Sequence, residues 1–512
     1  MWPPVTMATQ HPDNAGVPWW KKDAFIATQD EIEEMLILFK ELPIDEYMWD
    51  WEGKYVDEAV GEKLFSRAKD YLKEHPLGEE KHLTFRIPAW EEGKTHRSAR
   101  AFMNILSLAD LGREIGLSKP PVTEMFLPLT TSAEQPIGVH KAFKEIADYH
   151  RAIFHDSKED EHHLLDIIEV TPLVEDVPSL FSIEKIIEPY WQDLMKDPER
   201  KKRMKTRGQR IFLARSDPAQ NAGLVPAVLA SRAALSTISE VGEKLGIPVH
   251  PIIGTGSLPF RGSVNPTYTD TFLEQYAGSR TYCIQSGFRY DYPLADVRSA
   301  LEKIQKEAPK RQTVRMTNEE RMKLRAVVDL FTDTWKPTIE SLAPLINLVA
   351  SFLPPRRERL LHIGLFGYSR GIGAVKLPRA IGFTAAFYSL GVPPELIATG
   401  RGLQATEEQG LLPLLEKHYP ALREDLKHAG KYLNRENLDF LCKRNPTFEK
   451  IREGIGMIER VLGIHLGPEK PHHFIHRNLS STIYHRIHSE KPDGEAITRD
   501  IIEAGKIRKS LG

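Results

Sequence analysis

Short apolar runs alternate with longer stretches of helical periodicity along most of the 512-residue chain. Seven runs are rich in β-branched or aromatic residues and end in polar or glycine-containing loops, at residues 83–88, 124–131, 166–175, 210–217, 249–254, 282–286 and 362–367. Helical stretches lie between and after them, the longest at residues 223–245, 318–353 and 447–462. This alternation of strand, loop and helix predicts an α/β fold with a parallel sheet.

Two arrangements of such a sheet remain open. Strands with charged or hydroxyl residues at their carboxyl ends suit a TIM-type (β/α)8 barrel with many additional helices, where chemistry collects at that face. A doubly wound open sheet also binds ligands beyond the carboxyl ends of its strands. The pattern does not place an eighth strand. Pro337 and Pro344 predict a break in the helical stretch of residues 318–353.

No internal repeat, low-complexity tract or Pro/Gly/Ser-rich linker divides the chain. We therefore predict one domain over residues 1–512, with the barrel at roughly residues 80–390 and a helical part at roughly residues 395–512. The segment after Leu396 is mostly helical and polar.

Composition excludes several classes of protein. The chain has 69 basic and 71 acidic side chains, a net charge of −2 and 41% hydrophobic residues, which argues against a nucleic-acid binder. Its two cysteines, Cys283 and Cys442, form neither a disulfide framework nor a cysteine-rich zinc site. The N-terminus lacks a signal-peptide pattern, and the longest apolar stretch, residues 342–353, is too short to span a bilayer. We expect a cytoplasmic protein that does not enter a membrane.

The glycine-punctuated loop at residues 254–265 carries Arg261 as its only formal charge. Guanidinium offers a planar fork of donors that fits carboxylate or phosphate, and the nearby glycines let backbone N–H groups approach the same ligand. An arginine without a local counter-ion predicts a small anionic ligand. The alternative is a surface arginine on a mobile loop.

A second cationic region lies between Arg359 and Pro394, where no Asp or Glu occurs. Because acids are plentiful elsewhere in the chain, their local absence suggests that a ligand supplies the negative charge. Its basic residues after the apolar run are Arg370, Lys376 and Arg379. The alternative is a solvated basic face.

Two carboxylates follow apolar runs at comparable positions. Glu175 follows residues 170–174, and Asp217 follows residues 211–214 as the only acid between Glu199 and Glu240. Mg²⁺ or Mn²⁺ takes one or two protein carboxylates and completes its shell with water and substrate oxygens. Asp217 is equally well explained as an Asx turn or helix N-cap.

His11 lies in a Pro- and Gly-rich loop near the N-terminus. Imidazole titrates near neutrality and shuttles a proton or hydrogen-bonds a developing anion. With the arginines and the metal carboxylates, this histidine fits both phosphoryl and enolate chemistry.

Taken in order, six stretches resemble the shorter, archaeal type of phosphoenolpyruvate carboxylase, at residues 8–15, 172–176, 214–219, 254–262, 285–291 and 367–380. The resemblance runs from Met7 to Gly512. It implies a TIM-barrel-derived fold, a homotetramer, and carboxylation of phosphoenolpyruvate by bicarbonate to oxaloacetate and phosphate, through carboxyphosphate and a metal-held enolate. A barrel phosphomutase or carbon–carbon lyase, or a non-catalytic anion-binding protein, is the alternative.

The resemblance also implies a role for each matching residue. Glu175 and Asp217 look like the Mg²⁺ or Mn²⁺ ligands, and His11 looks like the histidine that positions the carboxyl intermediate. Arg261 looks like the phosphate or carboxyphosphate arginine and its loop like a closing lid, whereas Arg86, Arg370 and Arg379 resemble substrate-binding arginines. The larger bacterial and plant forms have lysine and arginine where this chain has Gln220 and Thr255.

Overall fold

The computed structural model describes residues 2–90, 95–154, 168–358, 370–372 and 375–512. Eight parallel strands form a closed barrel in sequence order. They are β1 (Thr6–Thr9), β2 (Glu46–Asp50), β3 (His82–Arg86), β4 (Glu124–Leu127), β5 (Glu169–Val174), β6 (Gln209–Ala214), β7 (Val249–Gly254) and β8 (Thr281–Ile284). β1 pairs with both β2 and β8, which closes the barrel. The predicted TIM-type barrel is confirmed, and the open sheet is excluded.

Six of the seven predicted strands are confirmed as β3 to β8, and residues 362–367 lie outside the described residues. The pattern missed β1 and β2. Because both precede residue 80, the barrel begins earlier than the predicted range of roughly 80–390. A separate two-stranded antiparallel ribbon pairs β9 (Arg370–Ile372) with β10 (Val375–Leu377).

Helices surround the barrel and continue to the C-terminus. Up to residue 245 they are α1 (Glu31–Glu41), α2 (Val60–Glu74), α3 (Thr95–Glu114), α4 (Glu134–Phe154), α5 (Val177–Phe181), α6 (Glu184–Leu194), α7 (Pro198–Arg207), α8 (Ser216–Ala222) and α9 (Leu224–Leu245). The next are α10 (Thr269–Gln275), α11 (Ser286–Tyr290), α12 (Leu294–Glu307), α13 (Asn318–Ala350) and α14 (Ala380–Ser389). The C-terminal helices are α15 (Thr399–Glu408), α16 (Leu412–His418), α17 (Leu422–Gly430), α18 (Arg435–Arg444), α19 (Thr447–Leu462), α20 (Pro471–Ile487) and α21 (Gly494–Arg508).

The predicted break in α13 is wrong, because the helix runs through both prolines. Pro337 and Pro344 lie on its exposed face, where water can bond the carbonyl groups that each proline leaves without a donor. The opposite face is apolar and buried, including Phe331 and Trp335. Packing of that face stabilises the helix through both prolines.

α9 is long and apolar enough to cross a membrane by length and composition, but 89% of its most apolar window is buried inside the protein. It packs against α5, α8 and α13. We interpret it as a core helix.

Side chains alternate across the barrel wall, as the pleat of a strand requires. In β2, Tyr47 and Trp49 pack outward in the main core, whereas Met48 joins Phe126 and Phe212 inside the barrel. These inward residues form a packed layer rather than a channel.

A buried ionic layer closes the amino end of the barrel. Arg210 of β6 donates from Nη2 to Glu46 Oε2 at 2.7 Å and from Nη1 to Glu124 Oε2 at 2.6 Å. It also donates to the hydroxyl of Thr281 at 3.1 Å. Glu46, Glu124 and Thr281 begin β2, β4 and β8, and Arg210 is the second residue of β6, so alternate strands supply this layer.

Candidate active site

A cavity of about 570 Å³ lies at the carboxyl ends of the barrel strands. Strand ends and the segments that follow them supply its polar lining, and the regions before and after β10 supply a more apolar side. Six of the seven predicted site residues line it: His11, Arg86, Glu175, Asp217, Arg261 and Arg379. For the seventh, Arg370, the structure describes only the backbone, which pairs with Leu377 in the ribbon that leads to Arg379.

Arg86, the last residue of β3, is held by the last residue of β2. Its Nε donates to Asp50 Oδ1 at 2.8 Å and its Nη2 donates to Asp50 Oδ2 at 2.6 Å. Burial raises the pKa of Asp50, but Arg86 outweighs it and brings this pKa below the usual range. The pair therefore stays ionised, and its guanidinium is fixed at the cavity wall.

Arg261 has no counter-ion in its own loop, but it has a buried carboxylate partner from a distant part of the chain. Its Nη1 lies 3.0 Å from Oδ2 of Asp13 and donates to the Gly512 carbonyl at 2.7 Å. Its Nη2 donates to Gln285 Oε1 at 2.5 Å, and its Nε donates to the Ser216 hydroxyl at 3.2 Å. The counter-ion was missed because it comes from a distant part of the chain.

The loop around Arg261 is buried and hydrogen-bonded, which contradicts the alternative of a surface arginine on a mobile loop. Its closing as a lid stays a prediction. Its backbone closes on itself through Gly256 N to Arg261 O at 2.8 Å and Val264 N to Gly256 O at 3.0 Å. The C-terminal part of the chain holds it from outside, because Phe260 N donates to Glu395 at 2.8 Å. A Cβ at Gly256 would lie 2.6 Å from Arg261 Cζ, so only glycine leaves room for the guanidinium.

His11 lies just beyond β1, with Nδ1 3.0 Å from the hydroxyl of Thr9. Burial and the neighbouring charge of Arg86 lower the pKa of His11 well below its usual value. Arg261 and Arg379 lower it further, against the opposing effect of Asp50. The imidazole is therefore neutral at physiological pH and acts as a hydrogen-bonding group rather than a cation.

Glu175 follows β5, and Asp217 is the second residue of α8. The N-cap of α8 is Arg215, so the N-cap alternative for Asp217 is wrong. Burial lowers the pKa of Arg86, but the charge of Asp50 and, less strongly, that of Glu175 outweigh it and raise this pKa. Burial lowers the pKa of Arg261, and the charge of Asp217 partly opposes this. Both carboxylates are thus part of the charge distribution of the cavity.

The two carboxylates fit a divalent metal of the magnesium type. They present oxygen donors to one cavity, and Mg²⁺ or Mn²⁺ needs only one or two of these beside water and substrate oxygens. Among the described residues, no group of three or more His, Cys, Asp and Glu side chains gathers as a metal cluster. A metal site with only two protein ligands is compatible with this finding.

The two positions that differ from the larger forms are both occupied by contacts of the fold. Gln220 of α8 donates to the carbonyl of Pro378 at 2.7 Å and so ties α8 to the residue before Arg379. Thr255 is fully buried, and a Cβ at Gly262 would lie 2.6 Å from its methyl carbon.

Sequence reasoning missed Asp13, Asp50 and Gln285. Asp13 lies in the same loop as His11, two residues further along. An acidic residue so close to a candidate histidine was the signal that could have identified it. Asp50 was missed with β2. Gln285 lies near the end of the predicted run at residues 282–286 and directly after β8, in the position where the other site residues lie, but it was not singled out.

Comparison with known proteins gives one consistent result. A family model described as phosphoenolpyruvate carboxylase matches residues 4–512. The phosphoenolpyruvate carboxylase of Metallosphaera sedula is 38% identical, with 99% of each chain covered. The proteins of the same name from Caldivirga maquilingensis and Oenococcus oeni are 38% and 35% identical, covering 89% and 94% of this chain and 88% and 94% of their own.

Proposed function

The chain belongs to the phosphoenolpyruvate carboxylase family, of the archaeal type, and from this premise we propose how its cavity carries out the reaction. The enzyme carboxylates phosphoenolpyruvate. One observation carries the assignment of residues: six predicted residues from separate segments of the chain line one cavity at the carboxyl end of the barrel. That is the face at which TIM barrels hold their active sites.

The proposed reaction has two chemical stages. A bicarbonate oxygen attacks phosphorus and the bond from phosphorus to the enol oxygen breaks, which gives carboxyphosphate and the enolate of pyruvate. Carboxyphosphate then breaks down to carbon dioxide and phosphate, and the enolate carbon attacks the carbon dioxide to form oxaloacetate. The proton of bicarbonate leaves with phosphate, so the reaction needs no external acid.

Glu175 and Asp217 would hold Mg²⁺ or Mn²⁺, which when bound supplies positive charge that stabilises anionic oxygens as they develop. Arg261 and Arg379 neutralise the substrate's phosphate and carboxylate, together with Arg370. Arg86, which Asp50 holds in place, adds a further preorganised donor to the cavity.

His11 is proposed to position the carboxyl intermediate. A neutral imidazole offers one N–H donor and one acceptor nitrogen. Because Nδ1 faces the Thr9 hydroxyl, Nε2 is the nitrogen left for the reactants. It orients carboxyphosphate without adding a charge that would have to be removed later.

We further propose a cytoplasmic homotetramer. Both cysteines are free, as is usual in a reducing compartment.

The apolar side chains of Tyr149, Ile153 and Phe154 near the end of α4 are exposed, a kind of surface that subunit contacts often cover. Light scattering on the purified enzyme gives the mass that tests the tetramer.

The deciding assay measures oxaloacetate from phosphoenolpyruvate and Mg²⁺, coupled to malate dehydrogenase, in buffer stripped of bicarbonate or supplied with it. We expect product only with bicarbonate, and none after chelation of the metal. Consumption of phosphoenolpyruvate without bicarbonate would favour a mutase or lyase instead. No turnover with any divalent metal would leave only an anion-binding cavity.

A further inference from the structure

Arg356 lines the same cavity and has no role in the reaction described above. It follows α13 in the segment Pro354, Pro355, Arg356 and is 8% exposed. Its Nε donates to the carbonyl of Asn14 at 3.0 Å, and its Nη2 donates to the carbonyl of Ala15 at 2.9 Å. Both carbonyls belong to the loop that begins with His11, so Arg356 joins that loop to the cavity wall.

The charge of Arg356 is compensated differently from that of its neighbours. Arg86 pairs with Asp50, Arg261 with Asp13, and Arg357 with two glutamates of α1. In the part of the chain that the structure describes, no carboxylate lies within ion-pair distance of Arg356. Its hydrogen-bond partners are two carbonyl dipoles, which do not cancel a full charge.

The acid that acts on Arg356 lies across the loop. Asp291 accepts N–H bonds from Ala15 at 2.8 Å and Gly16 at 2.6 Å. Burial lowers the pKa of Arg356, and the charge of Asp291 only partly opposes this. Asp291 is hydrogen-bonded to the backbone of the loop, so it only partly compensates the charge of the Arg356 guanidinium.

The free part of the guanidinium has the geometry for an oxyanion. Nε and one hydrogen of Nη2 are used by the loop, and Nη1 makes no hydrogen bond to the described residues. The second hydrogen of Nη2 and the hydrogens of Nη1 therefore remain as parallel donors. They match the two oxygens of a carboxylate or phosphate. Pro354, Pro355 and Leu511 line the cavity as well, and such apolar neighbours strengthen a charged contact by excluding water.

We propose that Arg356 is a further substrate-binding residue, which donates from the end of its fork to an oxyanion of the organic phosphate while its other edge holds the loop that carries His11. The inference rests on the proposed function, because phosphoenolpyruvate is the ligand.

Arg232 provides a matched control. It is 4% exposed and donates from Nη1 to the carbonyls of Glu274 at 3.3 Å and Gln275 at 2.9 Å, so it too is buried on carbonyl groups. It does not line the cavity. Arg232→Gln therefore reports what the loss of such an arginine does to the fold alone.

The test compares wild type, Arg356→Gln, Arg356→Lys and Arg232→Gln in two measurements. The first is the rise in Tm that phosphoenolpyruvate and Mg²⁺ cause without bicarbonate, when no turnover occurs. The second is kcat and KM for each substrate. We expect Arg356→Gln to lose most of the Tm rise and to increase KM for phosphoenolpyruvate about tenfold or more, with kcat changed less than threefold. Arg356→Lys should recover part of the binding, and Arg232→Gln should keep the full Tm rise.

Three results would overturn the inference: equal Tm rises in Arg356→Gln and Arg232→Gln, a rise in KM for bicarbonate alone, or a fall in kcat with KM unchanged. Failure of the proposed function is recognised separately, because wild type itself would then show neither a Tm rise nor oxaloacetate formation.

Discussion

Arg261 and Asp13 lie 248 positions apart in the sequence and form a fully buried ion pair, with Nη1 3.0 Å from Oδ2. The same carboxylate accepts N–H from Gly287 at 2.7 Å, and the backbone carbonyl of Asp13 accepts N–H from Leu511 at 2.8 Å. The pair thus fixes the glycine loop, the His11 loop and the C-terminal residues in one place.

We expect Asp13→Asn to destabilise the enzyme by about 3 to 5 kcal/mol, because it leaves the Arg261 charge buried without a partner. The double variant Asp13→Asn with Arg261→Gln should lose less than the sum of the single losses. Urea unfolding of the four proteins measures this. Strict additivity would mean that the two groups do not interact.

Glu175→Gln and Asp217→Asn are each expected to lower carboxylation at least about 100-fold, because metal affinity depends on these oxygens. Their Tm without metal should stay within a few degrees of wild type. The exposed Asp270→Asn is the control and should keep full activity. Normal activity of either cavity variant would remove that carboxylate from the metal site.

His11→Asn is expected to reduce kcat by roughly 100-fold, the usual scale for a positioned hydrogen-bonding group. Because burial and Arg86 hold the pKa of His11 well below 6.5, wild type should show no loss of activity from its protonation between pH 8 and pH 6. The pH dependence of kcat, measured for both proteins, checks this. An acid limb near pH 6.5 that disappears in His11→Asn would contradict the neutral imidazole.

Gly256→Ala should disturb the site without touching a reacting group. The new Cβ would lie 2.6 Å from Arg261 Cζ and would displace the guanidinium, so we expect at least a tenfold loss of kcat/KM. Gly456→Ala in α19 is the control, because no atom beyond its own stretch of helix lies within 4 Å of its Cβ position and alanine favours helix. Equal activities of the two variants would show that the loop adapts.

Glu395 gives a prediction for stability against pH. Burial raises its pKa to about 7, and one oxygen, Oε2, has no partner among the described residues. The folded protein therefore keeps a proton that the unfolded chain releases near pH 4.5, so this contribution is complete below pH 4.5 and is lost as pH rises to about 7. Relative to Glu395→Gln, wild type should lose about 3 kcal/mol over that interval, as measured by urea unfolding at several pH values. A difference independent of pH would show that Glu395 is ionised throughout.

The sequence predicts much of this fold, and its failure at β2 has a clear physical cause. The strands β3 to β8 were recognisable because their apolar runs are local. β2 begins with Glu46 and ends with Asp50, which argue against a buried strand until Arg210 and Arg86 are known to neutralise them. Those partners are 164 and 36 positions away, and a local pattern does not contain them.

The same reasoning separates the predictable from the unpredictable parts of the site. Which residues face the cavity followed from their positions at strand ends and from the resemblance. The electrostatic state of each did not, because Asp13 determines that of Arg261, and Arg86 that of His11, from elsewhere in the chain.

Closure of the barrel has a consequence for synthesis of the protein. Met7 of β1 pairs with Cys283 of β8, so β1 is synthesised before its partner, which lies 276 residues further along the chain. At about 5 to 20 residues per second, this strand spends roughly 15 to 55 s with one edge unpaired. Nascent chains of this protein should therefore be good substrates for chaperones that cover strand edges until Ile284 has emerged.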